Sequence, residues 1–240
     1  MGKKIAIYGA GTIGACQATL TSGNGYSTVV IGHSEEGLSR CRNTMLQNWN
    51  DLIAQKLATA ANRRAAMDLV TITNDVSALR DCDIVFEAVS EDVNIKQRVY
   101  SIITEVCGRD IIVVSTTSSI DAAILAEKIE NPARFLIAHP FQPVHMLPLV
   151  EVVRHTETSE ETLNQVCTLL KDLNRQVVML NRSVPGFLVN RFAQALFRES
   201  IYLIEQGITT AADIDRAIKY AVGMRYASIG LLEYYDAVGF

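Results

Sequence analysis

Lys3 to Gly14 reads K-K-I-A-I-Y-G-A-G-T-I-G, and this stretch decides the fold. Lys3 to Tyr8 is a short apolar strand, and the six residues Gly9, Ala10, Gly11, Thr12, Ile13 and Gly14 follow it at once as G-x-G-x-x-G. A helical pattern then continues to about Ser22. Gly9 permits the tight turn, Gly11 lets backbone approach a pyrophosphate, and Gly14 lets helix pack closely on strand. The helix start offers unpaired N–H groups and the positive end of its dipole to phosphate oxygens. The motif by itself is common. Between the first strand and the first helix of a chain it points to a bound dinucleotide.

Outward from this unit, strands and helices alternate. Short apolar runs at Thr28–Ile31, Val70–Thr73, Asp83–Val89, Ile111–Val114 and Gln176–Leu180 read as strands. Helical patterns cover Ser34–Ala60, with a break before Ala65, then about 93–106, the run from Ile120, and about 160–173. Alternation of this kind predicts an α/β fold with a doubly wound, mostly parallel sheet of the Rossmann type. From Val184 the pattern is wholly helical: Pro185 suits a first helical position, Phe187 to Gln206 keeps apolar spacing, and Thr210–Val222 and Ile229–Val238 follow. The expected organisation is a dinucleotide-binding domain over residues 1–182 and a smaller all-helical domain over 183–240.

The second strand lacks one expected part. An acidic residue usually stands at its end to hold the ribose 2′-hydroxyl of NAD. Here V-V-I-G-H-S-E-E puts Gly32 there, with His33 and Ser34 next. A glycine leaves room for a 2′-phosphate, which His33, Ser34 or Arg40 would contact. The competing reading is an ordinary strand-to-helix turn, with Ser34 as N-cap and Glu35 and Glu36 in the first turn. NAD and NADP both stay open on these residues.

The chemistry lies further on. Ala138 to Val153 reads A-H-P-F-Q-P-V-H-M-L-P-L-V-E-V-V. His139 ends one apolar run, Glu151 lies within the next, and three prolines stiffen the connection. If the two runs pair as a hairpin, a carboxylate meets an imidazole. A carboxylate fixes the orientation of the ring and stabilises its charged form, the minimum for a general base near neutral pH. The competing reading is a strand-end histidine on a proline-rich loop.

Composition bounds the partners. At 240 residues and 49% hydrophobic the chain can bury a large core. A net charge of −4 gives no electrostatic case for nucleic acid or an anionic membrane. Five scattered cysteines without a C-x-x-C pair read as core thiols of a cytoplasmic protein, with neither a disulfide framework nor a metal site. No signal peptide and no bilayer-spanning run is read.

The ordered set G-A-G-T-I-G, F-E-A-V-S-E-D-V-N-I-K, S-T-T-S-S-I, A-H-P-F-Q-P, L-V-E-V-V and V-P-G-F-L-V-N-R resembles the L-3-hydroxyacyl-CoA dehydrogenase family over essentially the whole chain. H-P-x-x-P…P-L-V-E-x-V and G-M-R-Y-A (Gly223–Ala227) resemble its lambda-crystallin/L-gulonate 3-dehydrogenase branch, which handles free hydroxy acids. The resemblance implies His139 as catalytic base, Glu151 as its partner, and Ser118 and Asn190 as polar contacts to the reacting oxygen. It implies Glu91 and Lys96 as cofactor contacts near the nicotinamide-side ribose, with NAD as cofactor and a homodimer as assembly. Read from residues alone, Ser118 serves equally as the N-cap of the next helix, paired with Asp121. Asn190 falls inside a helix, where Asn is a poor former, so its amide has a specific task. Glu91 and Lys96 read as a solvated helix start.

Gln142 replaces the family's usual Asn in H-x-x-N-P, and the chain stops at Phe240, short of further helices usual in the family, as in a truncated second domain. The expected activity is oxidation of the C3 hydroxyl of a 3-hydroxyacyl substrate, such as 3-hydroxybutyryl-CoA in fatty acid metabolism. The alternatives are a CoA-free, gulonate-like 3-hydroxy acid and a non-catalytic, crystallin-like structural role. Arg225 in G-M-R-Y-A is the candidate clamp for a free carboxylate, because its planar fork binds one bidentately. Its bland role is to meet the last carbonyls of the preceding helix.

Overall fold

The computed structural model describes residues 3–239. It divides into two compact units, Met1–Phe187 and Leu188–Phe240.

The first unit is built on one eight-stranded sheet in the order β3-β2-β1-β4-β5-β6-β7-β8. Its strands are β1 (Lys4–Tyr8), β2 (Ser27–Ile31), β3 (Val70–Thr73), β4 (Ile84–Glu87), β5 (Ile112–Ser115), β6 (Phe135–Pro140), β7 (Leu149–Arg154) and β8 (Gln176–Leu180). Every neighbouring pair is parallel except β6–β7. Strands buried on both faces need apolar side chains both ways. In β1, Ile5 and Ile7 enter one core and Ala6 the other. Helices α1 (Thr12–Gly23), α2 (Glu35–Ala54) and α6 (Glu160–Asp172) cover the first face; α4 (Val93–Cys107) and α5 (Ala122–Ala126) cover the second. The fold is the doubly wound α/β sheet with a helical second unit that the alternation predicts.

Two boundaries differ from the sequence reading. The long helix expected over 34–60 stops at Ala54, where α2 ends, and a separate helix α3 (Ala60–Asp68) follows. Lys56 takes a left-handed φ of 61° after α2, and Thr59 opens α3 through a capping box with Asn62. The chain therefore turns before Ala60, not at Ala65. The helix expected from Phe187 begins at Val189 as α7 (Val189–Glu205). Pro185 lies in the preceding turn, and Phe187 has a φ of 46° that no helix contains. Asn190 is thus in the first turn of α7 rather than its interior, where Asn costs little.

The second unit continues with α8 (Ala211–Ala217), a π-turn over Ile218–Val222, α9 (Gly223–Tyr226) and α10 (Leu231–Ala237). Among the described residues no helix is long and apolar enough to cross a membrane.

Candidate active site

The turn after β1 shows why each glycine stands where it does. A Cβ on Gly14 would lie 1.8 Å from the Gly9 carbonyl oxygen, so α1 packs on β1 only without a side chain there. Gly9 has a φ of 130°, and a Cβ on it would strike the Ala88 carbonyl at 2.3 Å. Gly11 is different: a Cβ on it would meet nothing within 4 Å. Gly11 is also the N-cap of α1, with no side-chain cap and no acidic residue in the first turn. Bare N–H groups under open space are what a pyrophosphate requires, so these residues fit a dinucleotide.

At the end of β2, Gly32 is buried and a Cβ on it would lie 2.5 Å from Leu38 Cδ2 and 2.8 Å from Ala10 Cβ. A side chain at this position, acidic or not, would have to displace these two neighbours. Ser34 caps α2 by accepting from the Gly37 N–H, and Arg40 pairs with Glu36. Of the three groups considered for a 2′-phosphate, His33 alone is exposed and uncommitted to such a contact.

The C-terminal ends of β4 and β5 carry a buried polar cluster. Glu87, the last residue of β4, is 0% exposed and accepts from Lys96 Nζ (2.8 Å), the Tyr100 hydroxyl (2.8 Å), the Ser115 hydroxyl (2.7 Å) and the Val89 N–H (2.9 Å). Lys96, also buried, reaches Glu91 Oε2 at 3.2 Å. Glu91 Oε1 in turn accepts from the Thr117 hydroxyl, the Ser118 N–H (3.0 Å) and the Ser119 hydroxyl (3.3 Å). Partial burial alone would raise the Glu91 pKa, but the Thr117 hydroxyl, the Lys96 ammonium and the Ser118 N–H outweigh it and hold the carboxyl below its ordinary value. Burial, reinforced by Glu87, pushes the Tyr100 hydroxyl far above its ordinary range.

Three expected residues, Glu91, Lys96 and Ser118, thus come together. Ser118 is not the N-cap of α5, since Asp121 holds that position by accepting from the Ala123 N–H. Glu87, Tyr100, Ser115 and Thr117 escaped the sequence reading. The signal for Glu87 was a carboxylate inside the apolar run D-I-V-F-E-A-V. For Tyr100 it was its i, i+4 spacing from Lys96, which puts both on one face of α4.

The hairpin β6–β7 makes His139 and Glu151 direct partners in the antiparallel register. His139 Nδ1 lies 2.8 Å from Glu151 Oε2, with His139 7% and Glu151 0% exposed. Phe141 and Phe187 flank the ring, with centroids at 4.6 and 5.6 Å. A ring so clamped has one orientation, and its Nε2 is left to exchange a proton. In the second unit Asn190 is half-buried at the start of α7. Arg225 lies within α9, in a helical run continuous with α8, and its guanidinium stacks over the Tyr234 ring at 4.2 Å. Among the described residues no three His, Cys, Asp or Glu side chains gather as a metal site requires. A cavity of about 540 Å³ beside Asp121, Arg154 and Arg182 contains none of the expected site residues.

Known proteins resemble this chain in sequence and fold. Residues 4–183 match the 3-hydroxyacyl-CoA dehydrogenase NAD binding domain and residues 186–240 the C-terminal domain of the same enzymes. L-carnitine dehydrogenase of Bacillus cereus is 32% identical over 229 residues, covering 95% of this chain and 69% of that protein. The 5-formyl-3-hydroxy-2-methylpyridine 4-carboxylate 5-dehydrogenase of Mesorhizobium japonicum is 31% identical, covering 99% and 76%. The structure of (S)-3-hydroxybutyryl-CoA dehydrogenase from Ralstonia eutropha superposes with a TM-score of 0.87 at 28% identity, covering 92% of this chain and 78% of that one. With both domains matched in order and the dinucleotide turn intact, the chain belongs to the 3-hydroxyacyl-CoA dehydrogenase family and is an NAD-dependent oxidoreductase.

Proposed function

We propose that the protein oxidises the C3 hydroxyl of a free 3-hydroxy acid, with His139 as general base. The observation that supports this reading most is the buried 2.8 Å contact between His139 and Glu151. His139 Nε2 takes the hydroxyl proton, and Glu151 stabilises the imidazolium that results. Ser118 and Asn190 donate to the C3 oxygen and fix its position. Glu91 and Lys96 hold the ribose on the nicotinamide side. NAD, when bound, supplies the hydride acceptor.

The choice of a free acid is supported by relatives named for L-carnitine and for a pyridine carboxylate, neither of them a thioester. Arg225 is the candidate clamp on the substrate carboxylate, and its stacking on Tyr234 would hold the guanidinium plane ready. A second reading, a 3-hydroxyacyl-CoA substrate in fatty acid metabolism, is favoured by 31% identity to 3-hydroxyadipyl-CoA dehydrogenase of Escherichia coli. Five free thiols, three of them buried, suit a reducing compartment such as the cytoplasm. Exposed Phe192, Leu196 and Phe197 on α7 suit a homodimer.

NADH formation with a panel of free 3-hydroxy acids and with 3-hydroxybutyryl-CoA tests the substrate. Turnover on the free acids, with an Arg225→Met variant whose KM rises for them alone, supports the proposal. Equal loss on acid and thioester removes the clamp and leaves the thioester ahead.

A further inference from the structure

We propose that Glu87 adds one net negative charge at the nicotinamide half of the cofactor site and shifts the binding balance toward the oxidised cofactor. The inference rests on the proposed site and adds to it a group that touches neither cofactor nor substrate.

Strand order reverses between β1 and β4, so a dinucleotide lies across the C-terminal ends of these strands. The phosphate turn follows β1 and the Gly32 turn follows β2, which assigns the adenosine half to that side. The nicotinamide half falls over the ends of β4 and β5, where Glu87, Glu91, Lys96 and Ser118 stand. Among these groups Lys96 is held between the two carboxylates, at 2.8 Å from Glu87 and 3.2 Å from Glu91. One ammonium between two carboxylates leaves one net negative charge. Glu87 is sealed from water, so solvent screens it little. All four donors around it point at an acceptor, as a carboxylate requires.

The two cofactor forms differ at the nicotinamide ring, which is cationic when oxidised and neutral when reduced. A site with one net negative charge attracts the cationic ring and is indifferent to the neutral one. Without Glu87, Lys96 would belong to Glu91 alone and the cluster would be neutral. Holding the lysine could be done by a neutral acceptor; the preference needs the charge.

Dissociation constants of NAD⁺ and NADH, measured by titration of the folded protein without substrate, test this. In Glu87→Gln and in Glu91→Gln, NAD⁺ should weaken about fivefold relative to NADH, the size of one charge acting over about 10 Å through a partly solvated medium. Tyr100→Phe removes a hydrogen bond to Glu87 but no charge, and should cost stability while leaving the ratio unchanged. A shifted ratio in Glu91→Gln with an unshifted one in Glu87→Gln overturns the inference and leaves the site intact. No change in either constant in Glu91→Gln overturns the placement of the cofactor itself. Should Glu87→Gln not fold, Glu87→Gln with Lys96→Met restores one net negative charge. The ratio in that pair should lie about fivefold below that of Lys96→Met alone, and equal ratios in the two contradict the inference.

Discussion

Nδ1 of His139 and Oε2 of Glu151 stand 2.8 Å apart because the two residues are register partners in an antiparallel hairpin. The rest of the sheet is parallel, so this one reversal carries a carboxylate to the end of β6 where the imidazole lies. Glu151→Gln keeps the shape and removes the charge that stabilises an imidazolium. Its turnover should fall roughly a hundredfold, with little change in cofactor affinity. A kinetic assay beside a cofactor titration checks both halves. Turnover near wild type would mean that the carboxylate only orients the ring.

Gly11 and Gly14 separate binding from folding. Gly14→Ala drives a Cβ into the Gly9 carbonyl, which is backbone and cannot step aside, and should cost about 3 kcal/mol or more. Gly11→Ala meets no protein atom, so its melting temperature should fall far less than that of Gly14→Ala, by no more than the loss of a glycine N-cap. The added methyl fills the space proposed for the pyrophosphate, and NAD should bind roughly tenfold more weakly or worse. Thermal melts and titrations of the two variants decide it; unchanged binding in Gly11→Ala would move the cofactor elsewhere.

His145, in the loop joining β6 to β7, is partly buried and neither ring nitrogen has a hydrogen-bond partner. Burial lowers its pKa below 6.5, with Asp51 opposing and Arg175 assisting. The unfolded chain therefore takes up the proton first as pH falls. Stability should drop as pH falls through about 6.5 toward the lower folded value, and this contribution should then level off. In His145→Leu it is absent. Between neutral and mildly acidic pH the wild-type denaturant midpoint should fall relative to that of the variant. Parallel loss in both would show that other groups carry the acid sensitivity.

Much of this molecule is legible in its sequence where local chemistry and global fold agree. The G-x-G-x-x-G turn is such a place: each glycine is demanded by a near contact or an open space within a few residues, and the motif states both. The β6–β7 pairing is another, since two apolar runs on either side of a proline-rich loop have few ways to meet. The break between α2 and α3 is hidden in the sequence because the helical spacing runs on through Lys56. The Thr59–Asn62 cap that ends the ambiguity is a short polar signal inside a long periodic one. Pro185 suits a first helical position in sequence, which places Asn190 inside the helix; in the structure Pro185 lies in a turn and the helix starts at Val189. Glu87 stands out in the sequence as a carboxylate inside an apolar run, but its role is not legible there. Its partners come from α4 and β5, and nothing in a strand's own sequence shows which donors the sheet will bring to it.

Replacement of His139 by Gln tests the central claim most directly. If His139 is the base, the variant should bind NADH within about twofold of wild type while turnover on the active substrate falls roughly a thousandfold. Turnover within about tenfold of wild type, with cofactor binding intact, would show that another group removes the proton.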